Sequence, residues 1–151
     1  MIKLFIMKKS EGFSSTQEKN SYDFEREVKE AILSHPSRDK DIRPWGGFIT
    51  LWEDRNFKVK ILFVLPGKRL SLQRHKFRKE KWMIADGSAL ITKGDKKFIM
   101  EKGNTVMVEQ NELHRVENIS KDKVLKIVEI WMGEKLLEDD IERLEDDFGR
   151  A

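Results

Sequence analysis

The chain contains three histidines, and two of them, His75 and His114, stand in a spaced pattern of residues able to bind a metal. The first part of the pattern runs Gly67, five residues, Gln73, one residue, His75, four residues, Glu80, six residues, Gly87. The second runs Gly103, ten residues, His114, three residues, Asn118. Together they offer two imidazoles, a carboxylate and an amide, nitrogen and oxygen donors suited to a hard or borderline divalent ion. Such a set leaves positions on a six-coordinate ion open for water or substrate, as a catalytic rather than a sealed structural ion requires. A histidine in a β-core also serves as an ordinary hydrogen-bonded core residue, and Gln73 as an ordinary polar lumen residue, because amides are weak ligands.

These residues need a β framework to bring them together. Gln73 and His75 are two apart, so on a strand both point to one face. Candidate strands are Phe48–Glu53, Phe57–Leu65, Lys81–Ala85, Ala89–Thr92, Lys97–Met100, Thr105–Val108, His114–Asn118 and Val124–Met132. Between them lie Pro66-Gly67, Asp86-Gly87, Lys93-Gly94-Asp95 and Lys102-Gly103-Asn104, residues that favour tight turns. Many short strands at regular spacing predict an all-β sandwich or barrel over residues 41–151. Residues 1–40 read as an N-terminal extension. Ser10–Asn20 is a polar, serine-rich connection, and Tyr22, Phe24, Val28, Ile32 and Leu33 then predict an amphipathic helix from about Ser21 to Ser34, ended near Pro36. Leu137, Ile141, Leu144 and Phe148 recur three or four residues apart and predict a short C-terminal helix.

At 151 residues the chain suits one domain with a core. Thirty basic against 27 acidic residues leave a net charge of +3, with basic residues dense from Lys68 to Lys81 and acidic ones from Glu134 to Asp147. A basic patch beside a metal cleft attracts an anion such as a sugar phosphate, although each lysine taken singly is also an ordinary solvated residue. The basic clusters lack interleaved aromatic residues, so nucleic acid is excluded as a partner. Without cysteine there is neither a disulfide nor a thiolate metal site, as suits a reducing compartment. The apolar stretch at Met1 is too short for a signal peptide, and no run reaches the roughly 20 apolar residues of a membrane span. A cytoplasmic protein with no membrane contact is expected.

The two-part pattern is that of the cupins, and from Arg43 to Arg150 the sequence resembles the cupin domain of type II mannose-6-phosphate isomerases. The resemblance rests on Arg43-Pro-Trp-Gly, Val64-Leu-Pro-Gly, Leu70-Ser-Leu-Gln-Arg-His, Leu113-His-Arg-Val-Glu-Asn and Glu138-Asp-Asp-Ile-Glu-Arg-Leu-Glu-Asp-Asp-Phe-Gly-Arg. It implies a double-stranded β-helix of jelly-roll type. It also implies Gln73, His75, Glu80 and His114 as ligands of one divalent ion, Zn, Mn or Co. The chain departs from the family where Phe77 replaces a second histidine, where Lys81 replaces the histidine before Trp82, and where Glu109-Gln110-Asn111 replaces a P-x-G turn.

The activity implied is interconversion of mannose 6-phosphate and fructose 6-phosphate. A base removes the proton alpha to the carbonyl, and the metal stabilises the charge on an ene-diol(ate). Arg78 occupies the family's motif arginine and is the expected phosphate or transition-state contact; Arg115, next to His114, is a second candidate. For both the plainer reading is a surface or rim salt bridge. Lys81 serves as general base only if desolvation lowers its pKa. Trp45, Trp52, Trp82 and Trp131 are expected in core packing. Two other functions compete: a non-catalytic module that binds metal and sugar, favoured by Phe77 and Lys81, and a metal dioxygenase, disfavoured because such sites use three histidines. A homodimer covering exposed strand edges is expected.

Overall fold

The computed structural model describes residues 18–151. Residues 10–17 of the expected connection, and the apolar start of the chain, lie outside the described part. The expected helix forms as α1, Ser21–Ser34. Asn20 starts it with a capping box: its side chain accepts from the Asp23 N–H, and the Asp23 carboxylate accepts from the Asn20 N–H, each at 3.1 Å. It ends at His35, whose extended backbone is the one a following proline favours. Phe24, Val28 and Ile32, four apart, form one stripe buried against Ile49, Leu65 and Val124. Gly47 permits the close approach: a Cβ there would lie 2.6 Å from Ile32 Cδ1, on a backbone with φ of +143°.

Eleven strands follow. They are β1 Lys40–Arg43, β2 Gly46–Glu53, β3 Phe57–Val64, β4 Leu72–Arg74, β5 Arg78–Asp86 and β6 Ser88–Lys93. The rest are β7 Lys96–Glu101, β8 Thr105–Val108, β9 His114–Asn118, β10 Leu125–Gly133 and β11 Glu142–Glu145. A six-stranded sheet, β1-β2-β3-β10-β5-β8, packs on a five-stranded one, β11-β4-β9-β6-β7. All of the strand pairs are antiparallel. This is the expected double-stranded β-helix, an all-β barrel with a helix before it.

The two-residue period of three central strands gives the barrel two unlike ends. On β3 the inward positions are Lys58, Lys60, Leu62 and Val64; on β5 they are Arg78, Glu80, Trp82 and Ile84; on β10 they are Leu125, Ile127, Glu129 and Trp131. Register sets Ile127 between Leu62 and Ile84, and Glu129 between Lys60 and Trp82. One end is therefore a dry core, joined by Val116, Ile91 and Ala89 of the other sheet. Each large apolar side chain buried there contributes about 1.5–3 kcal/mol. The other end carries Lys60, Arg78, Glu80 and Glu129, and that is where a site lies.

The C-terminal helix does not form. Residues 138 and 139 turn, and Glu142–Glu145 pairs as β11 with β4, setting Arg143 opposite Gln73. The apolar spacing misled because Leu137 and Leu144 remain exposed rather than forming a buried stripe. Without β11 the short strand β4 would be the sheet edge, with main-chain groups that a helix would leave unpaired.

Candidate functional site

Gln73 is the middle residue of β4, His75 follows that strand, Glu80 points inward from β5, and His114 opens β9 directly opposite Gln73. The three strongest donors converge. His75 Nε2 lies 3.1 Å from His114 Nε2 and 3.0 Å from Glu80 Oε1, and His114 Nε2 lies 3.5 Å from Glu80 Oε2. Among the described residues these three make a group whose ligand atoms all fall within 4.8 Å of one another. All three side chains are at most 2% exposed.

The ring orientations follow from the main chain. His75 Nδ1 is 2.6 Å from the carbonyl oxygen of Asp140, and His114 Nδ1 is 2.8 Å from that of Glu112. A carbonyl can only accept, so each Nδ1 carries a hydrogen and each ring directs its Nε2 inward, as a lone pair when the ring is neutral and as a donor to Glu80 when it is protonated. Glu80 Oε2 is buried with no hydrogen-bond partner. Burial alone would raise the Glu80 carboxyl, but hydrogen bonds and charge from His114 and His75 hold it well below the usual range. Two lone pairs and a carboxylate at this spacing need positive charge among them, either ring protons or a cation. The donor set fits a divalent ion.

Gln73 places its Nε2 3.4 Å from His75 Nε2, while its Oε1 accepts from Ser71 Oγ at 2.7 Å. A half turn of the amide would present Oε1 to the centre and the NH₂ group to Ser71, whose hydroxyl accepts as readily as it donates. Asp140 frames the site a second way. Its carboxylate accepts from the N–H groups of Lys76 and Phe77, at 2.8 and 3.0 Å, and so fixes the bend that carries His75.

The other expected residues fall in different places. Arg78 is at the site and engaged within it: Nε donates to Glu80 Oε1 at 2.8 Å, NH1 donates to the carbonyls of Leu137 and Asp140, both at 3.1 Å, and NH2 lies 3.3 Å from His75 Nε2. Its guanidinium also stacks 3.6 Å over Trp131. It therefore holds Glu80 in place instead of offering a free fork to phosphate, a correction to its expected role. Lys81 projects from the opposite face of β5 into solvent, away from the cluster, so it is not placed to act as a base there. Arg115 is likewise on the face opposite His114, donating to the carboxylate and carbonyl of Glu145 at 3.0 and 3.2 Å, and ties β9 to β11.

A cleft of about 530 Å³ opens beside this cluster, with Arg43, Phe48, Lys60, Glu80, Glu129 and Arg143 in its wall. Lys60 Nζ pairs with Glu138 Oε1 at 2.6 Å and sits about 4 Å over the rings of Phe48 and Trp131. Glu129 accepts from Trp82 Nε1 at 3.0 Å; burial and the charge of Glu80 push its carboxyl up to about 8, against Lys60 and Arg78. Sequence reasoning passed over both. The available signal was a charged residue at an inward position of an otherwise apolar alternation.

Comparison with known proteins agrees with this fold. The family described as "Mannose-6-phosphate isomerase C-terminal" matches residues 31–146. The chain is 42% identical over 109 residues to the alginate biosynthesis protein AlgA of Pseudomonas aeruginosa, covering 72% of this chain and 22% of that one. It is 41% identical over 106 residues to a mannose-1-phosphate guanylyltransferase of Sinorhizobium fredii, covering 70% and 20%. The chain thus spans about a fifth of the length of these curated relatives. The cupin domain of Schizosaccharomyces pombe Cnp3 superposes with a TM-score of 0.55 at 17% identity, over 58% of this chain and 64% of that one, a likeness of fold alone. The expected interconversion of mannose 6-phosphate and fructose 6-phosphate is corrected by these relatives, which are named for guanylyl transfer and alginate biosynthesis and not for isomerisation. A cupin barrel ending in the Arg143-to-Arg150 segment, matched over most of its length, makes the chain a member of the mannose-6-phosphate isomerase C-terminal family.

Proposed function

We propose that this chain is a sugar-phosphate-binding cupin that holds one divalent ion, Zn, Mn or Co, and accompanies guanylyl-transfer chemistry in bacterial polysaccharide biosynthesis. The observation that carries the reading is the facing pair of Nε2 atoms, 3.1 Å apart, with Glu80 beside them in the wall of a cleft also lined by Arg43, Lys60 and Arg143. His75, His114 and Glu80 would hold the ion, with Gln73 as a fourth ligand. When bound, such an ion supplies a Lewis acid that fixes sugar oxygens. The remaining work belongs to the chain. Arg78 keeps Glu80 oriented, Glu129 stays protonated near neutrality and donates to a hydroxyl, and the rings of Phe48 and Trp131 wall off water. The two relatives are named for guanylyl transfer and for alginate biosynthesis, which supports mannose phosphates as the ligand class.

The test is calorimetric titration of mannose 6-phosphate, mannose 1-phosphate and unphosphorylated mannose into the full chain in Mn²⁺ or Zn²⁺ buffer, with metal content read by mass spectrometry. One metal per chain and binding of a phosphorylated sugar in preference to mannose are expected. Protein that takes up no metal would end the metal reading, and equal or absent binding of all three sugars would end the sugar-phosphate reading.

A further inference from the structure

Arg143 is an arginine without an anion. It lies on β11 opposite Gln73, and Gln73 lies opposite His114, so the three form one row across β11, β4 and β9. Directly paired residues of antiparallel strands share a face, and Arg143 lines the same cleft as Gln73 and Glu80. Two strand spacings put it about 10 Å from His114. Its Nε is buried and has no hydrogen-bond partner, and among the described residues no carboxylate pairs with its guanidinium.

Its neighbours make that isolation costly. Arg43 and Arg150 line the same cleft, and each already has an acid: Arg43 NH2 is 3.0 Å from Asp41, and Arg150 NH2 is 2.7 Å from Asp146. Burial, then the charges of Arg150 and Arg43, push the Arg143 guanidinium below its ordinary range, against the pull of Asp146. Three guanidinium groups lining one cleft, of which Arg143 has no carboxylate partner, suit a phosphate dianion, which accepts the parallel donors of an arginine fork. Arg78 and Arg115 do not compete: Arg78 donates to Glu80 and to the carbonyls of Leu137 and Asp140, and Arg115, although its Nε is also without a partner, already pairs with the Glu145 carboxylate.

We propose that Arg143, flanked by Arg43 and Arg150, is the phosphate subsite of this cleft and takes the phosphate of a hexose phosphate whose sugar oxygens reach the His75–Glu80–His114 end. The assignment rests on the sugar-phosphate reading above. It sets specificity by length: a phosphate on Arg143 places the far end of one hexose, not two, at the metal-binding cluster.

The test compares the full chain with Arg143→Gln and Arg143→Lys by calorimetry, using mannose 6-phosphate, inorganic phosphate and mannose as probes. Arg143→Gln should weaken mannose 6-phosphate and inorganic phosphate by about tenfold or more, with metal content unchanged, and Arg143→Lys should fall between it and the parent. Equal affinity of parent and Arg143→Gln for mannose 6-phosphate would overturn the subsite while leaving the sugar-phosphate reading standing. A parent chain that binds inorganic phosphate through Arg143 but no sugar phosphate would overturn that reading and keep the anion site. A parent chain that binds neither overturns both. If Arg143→Gln does not fold, judged by circular dichroism, Arg143→Lys and Arg150→Gln decide: undiminished mannose 6-phosphate binding by both overturns the assignment, and weakened binding by both supports it.

Discussion

His75 and His114 face each other through Nε2 atoms 3.1 Å apart, each ring held from behind by a main-chain carbonyl. The relationship joins β4 to β9 at the centre of the barrel and depends on the bend fixed by Asp140. Replacing either histidine by alanine should abolish metal uptake, measured by mass spectrometry of the reconstituted protein. Asp140→Ala keeps both histidines but frees the Lys76 and Phe77 amides. It should weaken metal affinity about 10–100-fold and cost about 1–3 kcal/mol of stability. Unchanged metal affinity in Asp140→Ala would show that the bend holds without it.

Arg78 and Glu80 form an ion pair at 2.8 Å with side chains 3% and 1% exposed. Glu80→Gln leaves the guanidinium buried without its counter-charge and should cost about 3–5 kcal/mol in denaturant unfolding. Arg78→Met should cost less, because it leaves a carboxylate that two histidines still face. The reverse order would mean that Arg78 matters more than the carboxylate it holds.

Glu129 makes stability fall with pH in a defined window. Its carboxyl is near 4.5 in the unfolded chain and about 8 in the folded one, raised first by burial and then by Glu80. The folded state therefore binds this proton more tightly. Its contribution is fully present below about 4.5 and is lost as pH rises through about 8. Urea midpoints measured with chelator from pH 5 to 8 should decline for the parent chain and decline less for Glu129→Gln. Parallel curves for the two proteins would contradict the assignment.

The docking of α1 rests on Ile32, fully buried, and not on its neighbour Leu33, which is 55% exposed. Ile32→Ala should cost about 2–5 kcal/mol, whereas Leu33→Ala should stay within about 0.5 kcal/mol. Proteolysis between α1 and β1 should accelerate in the first variant alone.

Much of the molecule was legible before any coordinates. The helix Ser21–Ser34, the eight main strands to within three residues at either end, and the clustering of His75, Glu80 and His114 follow from period, turn residues and spacing. Those signals are local, or they repeat at a fixed interval, and burial of one face is enough to enforce them. Tertiary structure decided what spacing could not. Lys81 and Arg115 each stand one residue from a site residue, and the strand pleat turns both away. Residues Leu137 to Phe148 have a helical rhythm, but the open edge of β4 takes Glu142–Glu145 as a strand. That pairing brings Arg143 beside Gln73 across 70 residues of chain. A contact so distant in sequence is set by which strand edge remains to be paired, and only the closed barrel determines that.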